Sequence, residues 1–441
     1  MPARRSGLPL RASGWPPLSR FDRPTAAAMT ADRNPEPAPP RPALHGVRVI
    51  ELGTFISAPF AATLLADFGA DVLKLELPGE GDPMRTLGAF PPGADSGYWW
   101  SSIGRNKRSV ALDVRVPEGR EILGRLLATA DVLIENFRPG TLDRWGITPA
   151  WLEERQPGLV VVRVSGYGQD GPWRDVPGFD RNAQAFSGLV YVTGEADSPP
   201  QQAGLPVCDF SAGLWAAFGA VTALLGKLRH ADPAGNEVDL ALYETMVPFL
   251  KDMPQRYRHQ GRVTERTGNT PDYVSPGGAY RTGSGEWIFI SGTGDRVFAR
   301  LMAVIGRADM TESPSFRLNK DRVTNRRLID DAIDAWLVQR STDQVIDELR
   351  AADVPAVKIQ SIGDLMAHPQ VVARGNFVEL PDHDRGAVCT TAPVPRLARR
   401  PATLRWLGQD LGESTLDVLQ GELKLSDADV ADLRQRGIVG G

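Results

Sequence analysis

Residues 46–77 read GVRVIELGTFISAPFAATLLADFGADVLKLEL, and the way periodicity changes along this stretch decides the fold. Val47, Val49 and Ile50 form a short buried-strand pattern that runs out at Glu51 and Leu52. Gly53 opens a turn. Pro59 suits the first turn of a helix, where its missing N–H is no loss. Phe60, Leu64, Leu65 and Phe68 then recur at helical spacing, and Gly69 provides a C-terminal cap. Asp71 to Leu77 is a second strand. Two strands joined through a helix must lie parallel, with a right-handed crossover.

The same alternation continues downstream. Ser109 to Leu112, Asp131 to Phe137 and the β-branched run Val160 to Val164 read as strands, with helices at Pro117 to Ala130 and Pro149 to Gln156 between them. The fold class is therefore α/β, with a Rossmann-like, doubly wound parallel sheet. Asp209 to Arg229 is the most apolar helix in the chain, and its place is against that sheet. The apolar run Leu214 to Leu225, interrupted by Gly219, is expected to fall short of a membrane span.

The pattern changes after Lys251. A polar, basic stretch from Gln255 to Asn269 leads to strands at Gly278 to Arg281, Glu286 to Ser291 and Ala356 to Ile359. Helices follow at Val297 to Ile305, Arg326 to Gln339 and Asp343 to Ala352, which together make a smaller α+β domain. Beyond His368 the prolines 381, 393, 395 and 401 mark an extended connection before a last helix at Ser426 to Arg436. The expected organisation is a disordered extension over 1–43, the first part of the large domain over 44–230 and a linker over 231–265. The small domain then spans 266–365, and 366–441 returns to the large domain.

A chain of 441 residues with 42% hydrophobic residues has enough apolar material for two cores. The formal charge of −4 is spread without a basic block, so nothing marks a nucleic-acid partner, and no membrane partner is expected. Cys208 and Cys389 are too few for a disulfide framework and have no zinc spacing, which suits a reducing compartment. Residues 1–43 are rich in Pro, Arg and Ala. Three readings of them stand: an untargeted extension of a cytoplasmic protein, a start codon placed upstream of Met29, or an Arg-rich mitochondrial transit peptide.

Seven segments, in order, carry a resemblance to a known family: Gly46 to Phe60, Gly69 to Gly81, Asn106 to Asp113, Asn136 to Gly146, Ser165 to Pro172, Gly178 to Gly188 and Pro206 to Gly213. From about Leu44 to the C-terminus the chain resembles the class III coenzyme A transferases, among them formyl-CoA transferase and carnitine CoA-transferase. The resemblance implies an interlocked homodimer, acyl-CoA and a carboxylic acid as substrates, and no permanently bound cofactor. It also implies an aspartate nucleophile, here Asp209, that passes through an aspartyl anhydride and an aspartyl-CoA thioester.

Spacing alone makes Asp209 an N-cap of the helix that follows it. The two roles are compatible, because a helix N-terminus is expected to hold a carboxylate ionised. The reaction transfers no net proton, so the lack of histidine between His45 and His230 is no obstacle. By the same resemblance Asp180 faces the active site. Ile56 and Ser57 meet the reacting end of CoA, and Leu112, Arg115, Asn136, Phe137, Arg138 and Arg144 hold its nucleotide end, where guanidinium groups suit phosphates. A glycine loop at Gly277, Gly278 and Gly283 covers the site by analogy. One of Arg256, Arg258, Arg262 and Arg266 is a candidate partner for the far carboxylate of a dicarboxylic acyl group such as succinyl.

Three rivals remain at this level. An α-methylacyl-CoA racemase would share the fold, but residues 146–157 lack its histidine. A nucleotide-dependent dehydrogenase would need a glycine-rich fingerprint after the first strand, and Gly53 is followed by Thr-Phe-Ile-Ser-Ala-Pro. A non-catalytic CoA-binding protein would not need an aspartate at 209.

Overall fold

The computed structural model describes residues 41–230, 236–382 and 386–441. The extension read over 1–43 therefore falls, up to residue 40, outside the described residues, as does 231–235 of the linker. Six parallel strands form the main sheet: β1 (Arg48–Glu51), β2 (Asp71–Glu76), β3 (Arg108–Ala111), β4 (Val132–Glu135), β5 (Val160–Ser165) and β6 (Glu237–Ala241). Their spatial order is β3-β2-β1-β4-β5-β6. The order reverses between β1 and β4, and at such a switch point the loops leaving neighbouring strands diverge and open a crevice.

Strand periodicity explains how one sheet serves two cores. Ile50, Leu73 and Leu133 face one side, where they pack with Ile122, Leu123 and Leu126 of helix α2 (Pro117–Leu127). Val49, Val72 and Val132 face the other, against α1 (Ser57–Asp67) and α4 (Val207–His230); α3 (Asp180–Phe186) lies between β5 and α4 in sequence. Val418, Leu419, Val430 and Leu433 from the end of the chain complete the α2 side.

The α1–α4 contact is built from small residues. Ala58, Ala61, Ala62, Ala212, Ala216 and Ala220 are all buried there. At Gly213 a Cβ would come within 2.8 Å of Phe60 Cδ1 and 2.9 Å of the Ser57 carbonyl, so only glycine lets the helices approach this closely.

Two expectations change. The segment 231–265 is not a linker throughout, because Glu237–Ala241 pairs in parallel with β5 as the sheet's edge strand, Val238 lying opposite Val162. An edge strand buries less than a central one, and here Glu237 and Asp239 are exposed while Val238 and Leu240 are only half-buried, so its apolar signal is short and dilute. The run Leu214 to Leu225 belongs to a 24-residue helix that is long and apolar enough, by length and composition, to cross a membrane. That helix instead presents its alanine face to α1 and the sheet. Interruption by Gly219 does not end it, because a single glycine inside a packed helix costs only about 1 kcal/mol.

The remaining strands form an antiparallel sheet, β7 (Gly277–Arg281), β8 (Trp287–Ser291) and β9 (Ala356–Lys358), and a hairpin, β10 (Phe377–Asp382) with β11 (Gly386–Thr391). Ile288, Ile290, Leu301, Ile329, Ile333 and Leu349 give the small sheet and its helices a core of their own.

Candidate active site

The turn that leaves β1, residues 52–57, is the structural centre of the site. Beneath it lies a buried ionic cluster. Lys74 Nζ, on β2, is 2.9 Å from Glu51 Oε1 and 2.7 Å from Asp82 Oδ2, and it also donates to the Gly53 carbonyl. Lys107 Nζ reaches Glu51 Oε2 at 2.8 Å and the Pro59 carbonyl at 2.7 Å. Burial alone would lower the Lys74 pKa, but Asp82, Glu51 and Glu76 outweigh it and hold the ammonium above its ordinary range. Asp82 Oδ1 in turn accepts the Phe55 N–H at 3.0 Å. That bond anchors Phe55 at φ 62°, a left-handed conformation unusual for an aromatic residue.

The switch point is tied from the other side by Asn136, just past β4. Its Oδ1 accepts the Thr54 N–H at 2.8 Å, and its Nδ2 donates to the Thr54 carbonyl at 2.8 Å and to Ser57 Oγ at 3.1 Å. Gly53 is required by this packing, since a Cβ there would lie 2.4 Å from Ala58 Cβ. A cleft opens at the C-terminal ends of these strands, lined by Leu52, Thr54, Leu77, Leu112, Phe137 and Trp145, with Arg115 at its edge. The Phe137 and Trp145 rings meet edge-on at 5.0 Å. Arg115 is exposed and paired with Asp113 at 2.8 Å.

Across the same turn lies a second pocket, lined by Ile56, Trp99, Phe179, Arg181, Leu205 and Asp209, with Asp180 and Gln184 in its wall. Asp209 is not the N-cap that spacing suggests. The helix begins at Val207, so Asp209 sits in its first turn, and the cap comes from another element. Asp180 Oδ1 accepts the N–H groups of Cys208 at 2.8 Å and Asp209 at 3.1 Å. Its Oδ2 accepts from Gln184 Nε2 at 2.6 Å, and Gln184 Oε1 accepts the Ala203 N–H at 2.9 Å. Asp180 thus satisfies the open end of α4 and fixes the orientation of the residue that carries Asp209.

The carboxylate of Asp209 is left without a hydrogen-bond or ion-pair partner among the described residues. Burial, with the neighbouring charge of Asp180 added, pushes its pKa up to about 7. This corrects the expectation that the helix N-terminus alone holds it fully ionised. The N–H groups that would stabilise it are occupied by Asp180, so the second carboxylate meets repulsion instead. Cys208, beside it, is buried, and burial followed by the charges of Asp180 and Asp209 raises its thiol to about 12, so it stays protonated.

The structure gathers the residues named from sequence into groups. Asp180, Asp209 and Ile56 share the second pocket; Leu112, Arg115 and Phe137 share the cleft. Ser57 and Asn136 are bound to each other in the turn between them. Arg138 and Arg144 are exposed and line neither space, Arg144 donating to Thr141 Oγ1 at 2.8 Å. Gly277, Gly278 and Gly283 belong to the β7–β8 hairpin region, away from the pocket of their own chain, and the Gly283 N–H is already bound to the Leu337 and Arg340 carbonyls.

Among the four candidate arginines, Arg256 pairs with Asp252 and Asp272, Arg262 with Asp272, and Arg266 donates to the Tyr191 carbonyl. None of the four lines the Asp209 pocket. Lys74, Asp82, Trp145 and Arg181 went unnoticed in the sequence. For Lys74 a signal existed: a lysine in the middle of the buried strand DVLKLE needs buried carboxylates around it.

A family model described as CoA-transferase family III matches residues 44–415, and the chain belongs to that family. The succinyl-CoA–D-citramalate CoA-transferase of Chloroflexus aurantiacus is 37% identical over 91% of this chain and 99% of its own length. A succinate–glutarate CoA-transferase of Agrobacterium fabrum is 33% identical over 86% of this chain and 95% of its own. Among solved structures, a CAIB/BAIF family protein from Brucella suis superposes with a TM-score of 0.76 at 29% identity, covering 87% of this chain and all of that one. The protein is a CoA-transferase.

Proposed function

We propose that the protein moves CoA from succinyl-CoA to a second dicarboxylic acid through covalent intermediates on Asp209. The observation that carries this reading is the lone, half-buried Asp209 carboxylate in a pocket that shares the turn at 52–57 with the neighbouring cleft. Relatives that pair succinyl-CoA with citramalate and succinate with glutarate support the choice of donor.

On this pathway the adenosine end of CoA lies over Leu112, Arg115 and Phe137, and the pantetheine arm crosses the turn. Asp209 attacks the thioester carbonyl; the C–S bond breaks, leaving an aspartyl–succinyl anhydride and CoA thiolate. The thiolate attacks the aspartyl carbonyl, releasing succinate and leaving aspartyl-CoA. The acceptor carboxylate attacks that thioester, expelling CoA thiolate and forming a new anhydride. The thiolate then takes the acceptor's acyl group and returns Asp209 to its carboxylate. Each step exchanges one anion for another, so no general base is required.

Purified protein incubated with succinyl-CoA and a panel of acids, followed by mass spectrometry, tests the reading. The expected result is acyl-CoA exchange that Asp209→Ala abolishes while CoA still binds, with hydroxylamine trapping Asp209 in the presence of acyl-CoA. Exchange at an undiminished rate in Asp209→Ala sinks it.

The proposal includes a homodimer. Its support is the solvent-facing stripe of α4, Leu214, Phe218, Val221, Leu225 and Leu228, at helical spacing and exposed in the single chain.

A further inference from the structure

The acceptor and donor named in the proposal are both dianions as free acids. A pocket holding Asp209 and Asp180 repels a second carboxylate unless a cation offsets it. Among the described residues lining that pocket, Arg181 is the one cation, and it has no hydrogen-bond or ion-pair partner there. It follows Asp180 directly in α3, and Asp180 is fixed to the Cys208 and Asp209 N–H groups, so the backbone of Arg181 is held in register with the nucleophile. Between them, Ile56, Trp99, Phe179 and Leu205 supply apolar wall.

We infer that Arg181 is the specificity-determining residue that receives the non-reacting carboxylate of the acyl group, which restricts the enzyme to dicarboxylic substrates. The inference rests on the proposed transfer at Asp209 and deepens it. A guanidinium recognises a carboxylate through paired N–H donors, while the short methylene chain of the acid lies along the apolar wall. Donor and acceptor acyl groups are attached to Asp209 in turn, as mirror halves of one pathway, so both occupy the same subsite. One arginine therefore selects both substrates. Two relatives, a succinyl-CoA–D-citramalate and a succinate–glutarate CoA-transferase, pair succinyl with another diacid, whereas an acetyl-CoA:oxalate CoA-transferase does not.

None of the arginines at 256, 258, 262 and 266 lines this pocket. Arg256 already faces two carboxylates, and Arg266 is bound to a backbone carbonyl.

The test compares Arg181→Ala and Arg181→Lys with the native enzyme, using succinyl-CoA against butyryl-CoA as donors and glutarate against valerate as acceptors. The readout is the ratio of kcat/KM for each diacid to that for its monoacid analogue. That ratio is expected to fall by about 10- to 100-fold in Arg181→Ala and by less in Arg181→Lys. An unchanged ratio, or a parallel loss for diacid and monoacid, overturns the assignment.

A second arm reads binding without turnover. Calorimetry on Asp209→Asn should show succinyl-CoA bound more tightly than butyryl-CoA, and the added Arg181→Ala change should erase that preference. If the preference persists in the double variant, the subsite is not Arg181. If it is erased while the native enzyme transfers no CoA, the subsite stands and the proposed reaction fails.

Discussion

The two carboxylates of the pocket differ in what they bind. Asp180 has its oxygens occupied by N–H donors from α4 and Gln184, while Asp209 has none. With Asp209 raised to about 7 and acting as its anion, kcat/KM for acyl-CoA should climb about tenfold per pH unit below that value and level off above it. Asp180→Asn removes the neighbouring negative charge but keeps an oxygen for the Cys208 and Asp209 N–H groups, so the rising limb should move to lower pH. A pH-rate profile of both proteins checks this; a limb that stays in place removes Asp180 from the control of Asp209. Neither relation could be read from the sequence. Asp180 and Asp209 are 29 positions apart, and their contact depends on how α3 meets the first turn of α4. The resemblance implied Asp209 as nucleophile and Asp180 as facing the site, and the fold adds the hydrogen bonds that join Asp180 to the start of α4.

At the level of elements, five of the six parallel strands are legible in the sequence because each is a short apolar run beside a turn or cap signal. β1, β2 and β4 also alternate correctly between the two faces. The sixth is obscured by Glu237 and Asp239, which an edge position tolerates. The opposite difficulty affects α4, whose composition suggests a membrane helix although its alanine face is a packing surface. Gly213 is the closest point of that packing. Gly213→Leu should push α1 and α4 apart and cost about 3 kcal/mol, measured by denaturant unfolding. Because α1 begins at the turn that walls both pockets, the same variant should weaken CoA binding. Gly226→Leu, at a position where a Cβ meets nothing within 4 Å, should change stability by much less.

At the scale of the molecule, the apolar stripe of α4 stays exposed in the single chain. Phe218 is 63% exposed and Leu228 82% exposed, on a helix whose other side is fully packed. A second copy covering this stripe would remove it from water. The expected mass by light scattering is twice that of the 47.9 kDa chain, and Phe218→Glu with Leu225→Glu should return it to one. A native protein that is monomeric at micromolar concentration would leave the stripe without its proposed partner. α4 also carries Asp209 at its start, so a contact along its length bears on the rigidity of the nucleophile's own helix.

The cap that Asp180 places on α4 has an energetic corollary for the acyl intermediates. Near pH 7 about half of the Asp209 side chains carry a charge that their surroundings disfavour. On the proposed pathway acylation abolishes that charge, and with it the repulsion from Asp180. The anhydride, ordinarily steep to reach from a carboxylate, is therefore approached from an already elevated starting level. On that pathway the repulsion returns when the last acyl group departs, so it offsets part of the cost of loading the site.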